Sequence, residues 1–466
     1  MLSTMIKKLY SRSDVGILRL SRRYMSASSS GVIDRATKDG ELRVFIVAGE
    51  VSGDTIGSRL MSSLKKLSPV PIQFSGVGGS TMSKLGLNSL FPMEDIAVMG
   101  IWELLPHLYK FRVKLKETIE AAFLFQPHVV VTVDLKGFSF RLLRQLRARY
   151  SQKKLVGPVH IHYVAPSFWA WKGGEARLRG LAEFVDHVLC ILPNEDEVCK
   201  LNGLGATFVG HPILEDVLEL NSGQDTSSIE WKVQGNAENF KHKYVVPSGA
   251  KFVTLLPGSR LQEVKRMLPI FADTMELLKD SLSDLTTIIH VAPNMHVENY
   301  IGSVVVRNWP VPFILIPAGD LQLKYDAFSA SMAALCTSGT VALEMQLARL
   351  PCVVAYRAHK LTEWFIRYKA KISYISLPNI LLNSAIIPEA LMQACTPTSL
   401  ASLLMELIHN EGLRKEQIVS AEKVFKLLCP PGEVMKNGAQ QDMRLRMPHS
   451  TPSMIAASTI LYYVKV

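Results

Sequence analysis

The stretch Ala333–Arg357, AALCTSGTVALEMQLARLPCVVAYR, decides how the rest of the chain is read. Ala333–Cys336 is an apolar run too short for a buried helix and suited to an interior strand. Thr337-Ser338-Gly339-Thr340 is a small polar turn, Val341–Ala348 winds as a helix, and Cys352–Tyr356 is a second apolar strand after Pro351. Strand, turn, helix and strand make a βαβ unit, whose second strand runs parallel to the first. Such a turn delivers free helix N–H groups to the carboxyl end of a parallel sheet, where a phosphate can sit without a lysine. Gly339 permits close backbone approach, Ser338 and Thr340 add hydroxyls, and Glu344, one helical turn on, can accept from ribose hydroxyls. An ordinary helix cap with a solvated glutamate explains the same residues.

Outward from this unit, the pattern repeats. Arg43–Ala48 reads as a buried strand that ends in Gly49-Glu50-Val51-Ser52-Gly53-Asp54 and enters a helix at Thr55–Leu67. Ile72–Ser75 ends in Gly76-Val77-Gly78-Gly79, a spacing that does not match a dinucleotide fingerprint. His128–Val133 is an interior strand with Asp134 at its carboxyl end. A carboxylate there is expensive to bury unless paired or at work, so Asp134 is the candidate general base, with a helix-capping aspartate as the alternative. Further on, Phe252–Leu256 runs into Pro257-Gly258-Ser259-Arg260 and a helix from Gln262 to Leu278. Arg260 at that helix start can grip a diphosphate bidentately. Asn379, in the turn Leu377-Pro378-Asn379, either reaches a cleft or caps locally.

Composition fits this reading. At 466 residues, 48% hydrophobic and 20% charged, the chain is long enough for two domains with large cores. Strand–turn–helix units divide it into residues 42–221 and 251–400, with a polar, aperiodic linker at 222–250 and closing helices over 401–466. The six cysteines (190, 199, 336, 352, 395 and 429) show no CxxC pairing, so neither a zinc site nor a disulfide framework is expected. No run of 18 apolar residues stands as a transmembrane helix. Of the net charge of +11, the first thirty residues contribute six basic groups against one acid, which leaves +6. That leader, rich in serine and basic residues among apolar ones, has the pattern of an organelle transit peptide, with cleavage after Tyr24. The remaining excess is spread out and does not make a nucleic-acid groove. Met99–Ile119 places Trp102, Leu105 and Phe111 beside Lys110, Arg112, Lys114 and Lys116. It reads either as a membrane-facing segment or as a helix packed on its own sheet.

Two Rossmann-like halves without a dinucleotide site point to a two-domain glycosyltransferase of the B type, with α/β domains facing across a cleft. Several blocks go further: Ala48–Asp54, Ala97–Gly100, Ile161–Trp171, Leu256–Arg260, Ser338–Thr340 with Leu343-Glu344, and Leu377–Asn379. In order and over about residues 43–400, they resemble the signature blocks of the lipid-A-disaccharide synthase family. The resemblance implies an inverting, metal-free transfer that joins UDP-2,3-diacylglucosamine to 2,3-diacylglucosamine 1-phosphate through a β(1→6) bond, releasing UDP, with no cofactor. It implies Asp134 as base. On the nucleotide-sugar side it implies Gly258, Ser259, Arg260, Ser338, Gly339, Thr340, Glu344 and Asn379, and on the acceptor side Gly49, Ser52, Gly53, Asp54 and Met99. It also implies a membrane surface as partner, a homodimer exchanging C-terminal parts and, with the leader, a plant mitochondrial form. The chain departs from the family's Ile-Asp-Ala-Pro-Asp-Phe-Asn block at Gly137 and Ser139, and at Asn194, which stands where phenylalanine usually precedes the glutamate. Such departures would suit a non-catalytic lipid- or nucleotide-binding derivative. A UDP-sugar 2-epimerase on the same scaffold is the other alternative, and it would need extra carboxylates in the cleft.

Overall fold

The computed structural model describes residues 31–96, 108–221, 231–247, 249–358, 360–430 and 451–464. The leader, Met99, Trp102 and Leu105 lie outside them. Two parallel sheets organise the chain. The first contains β1 (Leu42–Ala48), β2 (Ile72–Val77), β3 (Asn88–Ser89), β4 (Val129–Val133), β5 (Val159–Tyr163), β6 (His187–Cys190) and β7 (Ala206–Phe208) in the spatial order 3-2-1-4-5-6-7. The second contains β8 (Lys251–Leu256), β9 (Leu285–His290), β10 (Phe313–Ile316), β11 (Ser331–Cys336), β12 (Cys352–Tyr356) and β13 (Glu389–Leu391) in the order 10-9-8-11-12-13. Strands such as β4, VVVTV, and β8, KFVTLL, are apolar almost throughout because helices cover both faces of each sheet.

In each sheet the strand order reverses once: between β1 and β4, where Ala48 pairs with Val133, and between β8 and β11, where Leu256 pairs with Cys336. Connections leave such neighbours in opposite directions and open a crevice at their carboxyl ends. The opening stretch therefore occupies the switch point of the second sheet, and Asp134 that of the first.

The stretch read as a linker is more ordered than its polarity implies. Trp231 and Val233 are buried against Phe328 and Leu347, and Ala237–Lys243 forms a helix seated by Phe240 on Phe252. At the other end the chain returns to the first domain. The helix Pro452–Leu461 packs Ala456, Ala457, Ile460 and Leu461 on the face of Val51–Leu67, with the Ser63 and Ser453 hydroxyls 2.8 Å apart.

Met99–Ile119 enters the described residues as the helix Leu108–Phe125. Phe111 is 6% exposed and meets Phe138 edge-on at 5.4 Å between ring centroids, so it belongs to the first core and does not face lipid. Two of its basic neighbours are also engaged: Lys110 pairs with Asp95 at 2.6 Å and Lys114 with Glu117 at 2.9 Å. Among the described residues no helix is long and apolar enough to cross a membrane.

Candidate active site

The turn after β4 is strained. Asp134 and Leu135 both adopt left-handed backbone angles (φ 49° and 46°), which side chains other than glycine rarely accept. The turn is held from two sides: the Asp134 N–H donates to the Tyr163 carbonyl at 2.9 Å, and the Ser139 hydroxyl donates to the Asp134 carbonyl at 2.8 Å. Ser139, one of the two departures from the family block, thus buttresses the base's own backbone. Gly49 lets β1's turn lie against this one, since a Cβ there would stand 2.3 Å from Leu135 Cδ2. The N-cap of the following helix, Lys136–Gln152, is Leu135, and it makes no side-chain cap. Asp134 therefore does not cap that helix. Among the described residues its carboxylate accepts no hydrogen bond, and its side chain is left for the cleft.

Charged groups gather around it in alternation. Glu50, at the N-cap of Val51–Leu67, is raised above the usual carboxylate range by burial, with Arg260 opposing and Asp134 reinforcing that shift. Lys136 donates to the Ser167 hydroxyl at 3.2 Å, and burial lowers its ammonium against the pull of Asp134 and Glu195. Glu195 is 4% exposed, accepts from the Trp169 indole at 3.0 Å and from the Leu192 N–H at 3.2 Å, and burial pushes it up to about 7. None of Glu50, Lys136 or Glu195 stood out as a site residue in the sequence. A charged residue inside a glycine turn at a strand's end was the one available signal for Glu50.

From the second sheet, Pro257–Arg260 and Thr337–Thr340 lie side by side at the ends of β8 and β11, tied by the Thr337 N–H to the Leu256 carbonyl at 3.1 Å. Gly258 (φ 122°) and Gly339 (φ 131°) take conformations that favour glycine. Ser259, Gly339 and Thr340 are exposed, and Gly258, Arg260 and Ser338 half-buried. The Arg260 guanidinium crosses the cleft to the Glu50 carboxylate at 2.5 Å, so the two switch points face each other. Glu344 is held by Lys324 at 2.6 Å.

Two expected site residues are spent elsewhere. Asp54 is 4% exposed and accepts the N–H groups of Gly79, Thr81 and Met82 at 2.8, 2.9 and 3.1 Å, closing the start of the next short helix. Asn379 is fully buried. Its amide donates to the Ile387 carbonyl and to Glu389 and accepts the Ile387 N–H, so it braces the second domain and does not reach the cleft. Its backbone-like amide satisfies a buried loop that the sequence does not announce. Of the remaining acceptor-side residues, Gly53 is buried against Ala48 and Ser52 is exposed on the first turn of Val51–Leu67.

A family model described as lipid-A-disaccharide synthetase matches residues 44–442. The chain belongs to the lipid-A-disaccharide synthase family. It is 63% identical over 447 residues to a protein of Arabidopsis thaliana described as a probable mitochondrial lipid-A-disaccharide synthase, covering 96% of each chain. It is 41% identical to the lipid-A-disaccharide synthase of Rhodospirillum centenum, over 83% of this chain and 90% of that one. Among solved structures, a UDP-GlcNAc 2-epimerase from Neisseria meningitidis superposes with a TM-score of 0.51 at 11% identity, covering 83% of this chain and 98% of that one. The glycotransferase of kitacinnamycin gives 0.52 at 12%, over 90% and 98%. At such identities the likeness is one of fold alone. Membership in the synthase family, whose members are glycosyltransferases, decides between the two chemistries that this fold carries.

Proposed function

We propose that the chain transfers the diacylglucosaminyl group of UDP-2,3-diacylglucosamine to the 6-hydroxyl of 2,3-diacylglucosamine 1-phosphate. The observation that carries the reading is the contact of Arg260 with Glu50, which sets a nucleotide-side cation opposite the turn that bears Asp134. Asp134 takes the proton of the acceptor hydroxyl as its oxygen attacks the donor's anomeric carbon from the side away from the leaving group. The bond from that carbon to the diphosphate oxygen breaks, the anomeric centre inverts, and UDP leaves with the electron pair. Arg260 and the N–H groups of Thr337–Thr340 stabilise the charge on the departing diphosphate. Glu344, oriented by Lys324, receives the ribose hydroxyls. Family membership supports this reading, as does the placement of both halves at switch points.

We place this activity in the mitochondrion, supported by the description of the Arabidopsis relative and by the basic, serine-rich leader. Purified protein given both acylated sugars with EDTA present should release UDP and form the disaccharide 1-phosphate. Epimerisation of the donor sugar without transfer, or binding without turnover, would replace the reading.

A further inference from the structure

In the family block Ile-Asp-Ala-Pro-Asp-Phe-Asn, proline occupies the position of Lys136 and the second aspartate that of Gly137. The turn after the candidate base therefore gains a cation here and loses an acid. Lys136 opens the helix Lys136–Gln152, and its ammonium reaches the loop that follows β5. It is half-buried and donates to the Ser167 hydroxyl at 3.2 Å; among the described residues no carboxylate lies within ion-pair distance of it. An ammonium has further donors beyond that one bond, and these are left without a protein acceptor.

The groups that face Lys136 do not neutralise it. Asp134 and Glu195 act on it only through space. Glu195 is turned to the Trp169 indole and the Leu192 N–H, and with burial pushing it up to about 7 it is ionised only in part near neutral pH. His162, on β5, is fully buried and neutral, pushed down to about 3 by burial with Lys136 reinforcing the shift. A cation taken partly out of water with no counter-ion is costly unless a ligand supplies the opposite charge. The donor's diphosphate does not need it, since Arg260 and the turn Thr337–Thr340 serve that group from the second sheet. The other anion in the reaction is the acceptor's phosphate, a monoester that carries close to two charges at neutral pH. A lysine binds such a group as a point charge.

We propose that Lys136 holds the 1-phosphate of the acceptor sugar and so makes the site select a phosphorylated acceptor. The acceptor presents its 6-hydroxyl to Asp134, and the phosphate, at the other end of the same sugar ring, meets the ammonium beside Ser167. One residue thus distinguishes the acceptor from an unphosphorylated sugar with the same acyl chains. The assignment rests on the transferase reading above, from which it takes the acceptor.

The test compares two detergent-dispersed acceptors, 2,3-diacylglucosamine 1-phosphate and 2,3-diacylglucosamine, with the full chain and one donor. Wild type should favour the phosphorylated acceptor in kcat/KM. In Lys136→Met that preference should fall by roughly 10- to 150-fold, the worth of one hydrogen bond to a charged group. Lys136→Arg, which keeps the charge, should retain much of it. A merely structural role would slow both acceptors alike and leave their ratio where it was. UDP affinity of Lys136→Met should match wild type, and a thermal melt checks that the variant is folded. If no transfer occurs with any protein, the transferase reading falls, and equilibrium binding of the same two sugars, followed by tryptophan emission, still decides Lys136. Wild type that uses or binds both sugars equally would overturn the proposal without need of a variant. So would an unchanged preference in Lys136→Met, or a loss of its UDP affinity, which would give the ammonium to the donor.

Discussion

Replacing Arg260 by alanine removes the group that joins the two halves of the site, and its consequences separate into binding and folding. Arg260 is the N-cap residue of Leu261–Leu278, but its side chain makes no capping bond there, so the helix itself should survive. A diphosphate that loses one charged donor in a cleft loses about 2–4 kcal/mol, or roughly 30- to 900-fold in affinity. Transfer should slow along with UDP binding, because the same charge stabilises the leaving group. The folding effect is smaller. Arg260 and Glu50 side chains are 31% and 16% exposed, so breaking their pair should cost less than a fully buried one, about 1–2 kcal/mol. It should also depend on pH. Glu50 and Glu263 are both raised by burial and both held down by Arg260. Both already bind protons more tightly in the folded state than in the unfolded state, and without Arg260 they bind them more tightly still. Stability is then lost as pH rises above the ordinary carboxylate range, so the variant's deficit should be larger at alkaline than at mildly acidic pH. Calorimetric titration with UDP, paired with thermal melts across pH, reads both. Glu50→Gln in the same titration should bind UDP at least as tightly as wild type, since it removes the carboxylate that competes for Arg260. A folded Arg260→Ala protein with unchanged UDP affinity would refute the assignment of Arg260 to the diphosphate.

Three other substitutions discriminate structural from site roles. Phe111→Ala should cost about 3–5 kcal/mol of stability and leave vesicle binding of the folded fraction unchanged, as expected of a core aromatic; a silent thermal midpoint would return Phe111 to the surface. Asn379→Ala should cost about 1–3 kcal/mol through the orphaned Ile387 main chain and Glu389, with UDP affinity retained; chemical denaturation and UDP titration together check this. Glu195 is held near 7 by burial, against 4.5 for a free glutamate. The folded state therefore keeps its proton longer than the unfolded state, and stability falls as pH rises from about 4.5 towards 7. Glu195→Gln should remove that slope in denaturation curves, and identical pH profiles for the two proteins would contradict the assignment.

Much of this architecture was legible because several strands are short apolar runs that end in a glycine turn, as in Phe252–Leu256 with Gly258 or Ala333–Cys336 with Gly339. The turns placed the candidate site at the carboxyl end of a parallel sheet, and the strand order then put that end at a switch point. Asp134 drew attention for the same reason: it ends a strand that is apolar almost throughout. What stayed hidden was partnership over long sequence separations. Nothing local to Asp54 announces the three N–H groups of residues 79–82, and nothing near Asn379 announces Ile387 and Glu389. Phe111 sits among lysines in sequence, yet the face it shares with Phe138 is set by how Leu108–Phe125 packs. The polar stretch 222–250 concealed a helix because one buried phenylalanine, Phe240, is enough to seat it. Glu50 lay in plain view but acquires meaning only through Arg260, 210 positions away.

Asp134→Asn removes the proposed base of the glycosyl transfer with little change of shape. Transfer from UDP-2,3-diacylglucosamine to 2,3-diacylglucosamine 1-phosphate should be followed in a single turnover, beside UDP binding and the thermal midpoint. A rate loss of about 10²-fold or more is expected, with UDP affinity and stability near wild type. A variant that transfers the sugar at close to the wild-type rate would contradict it.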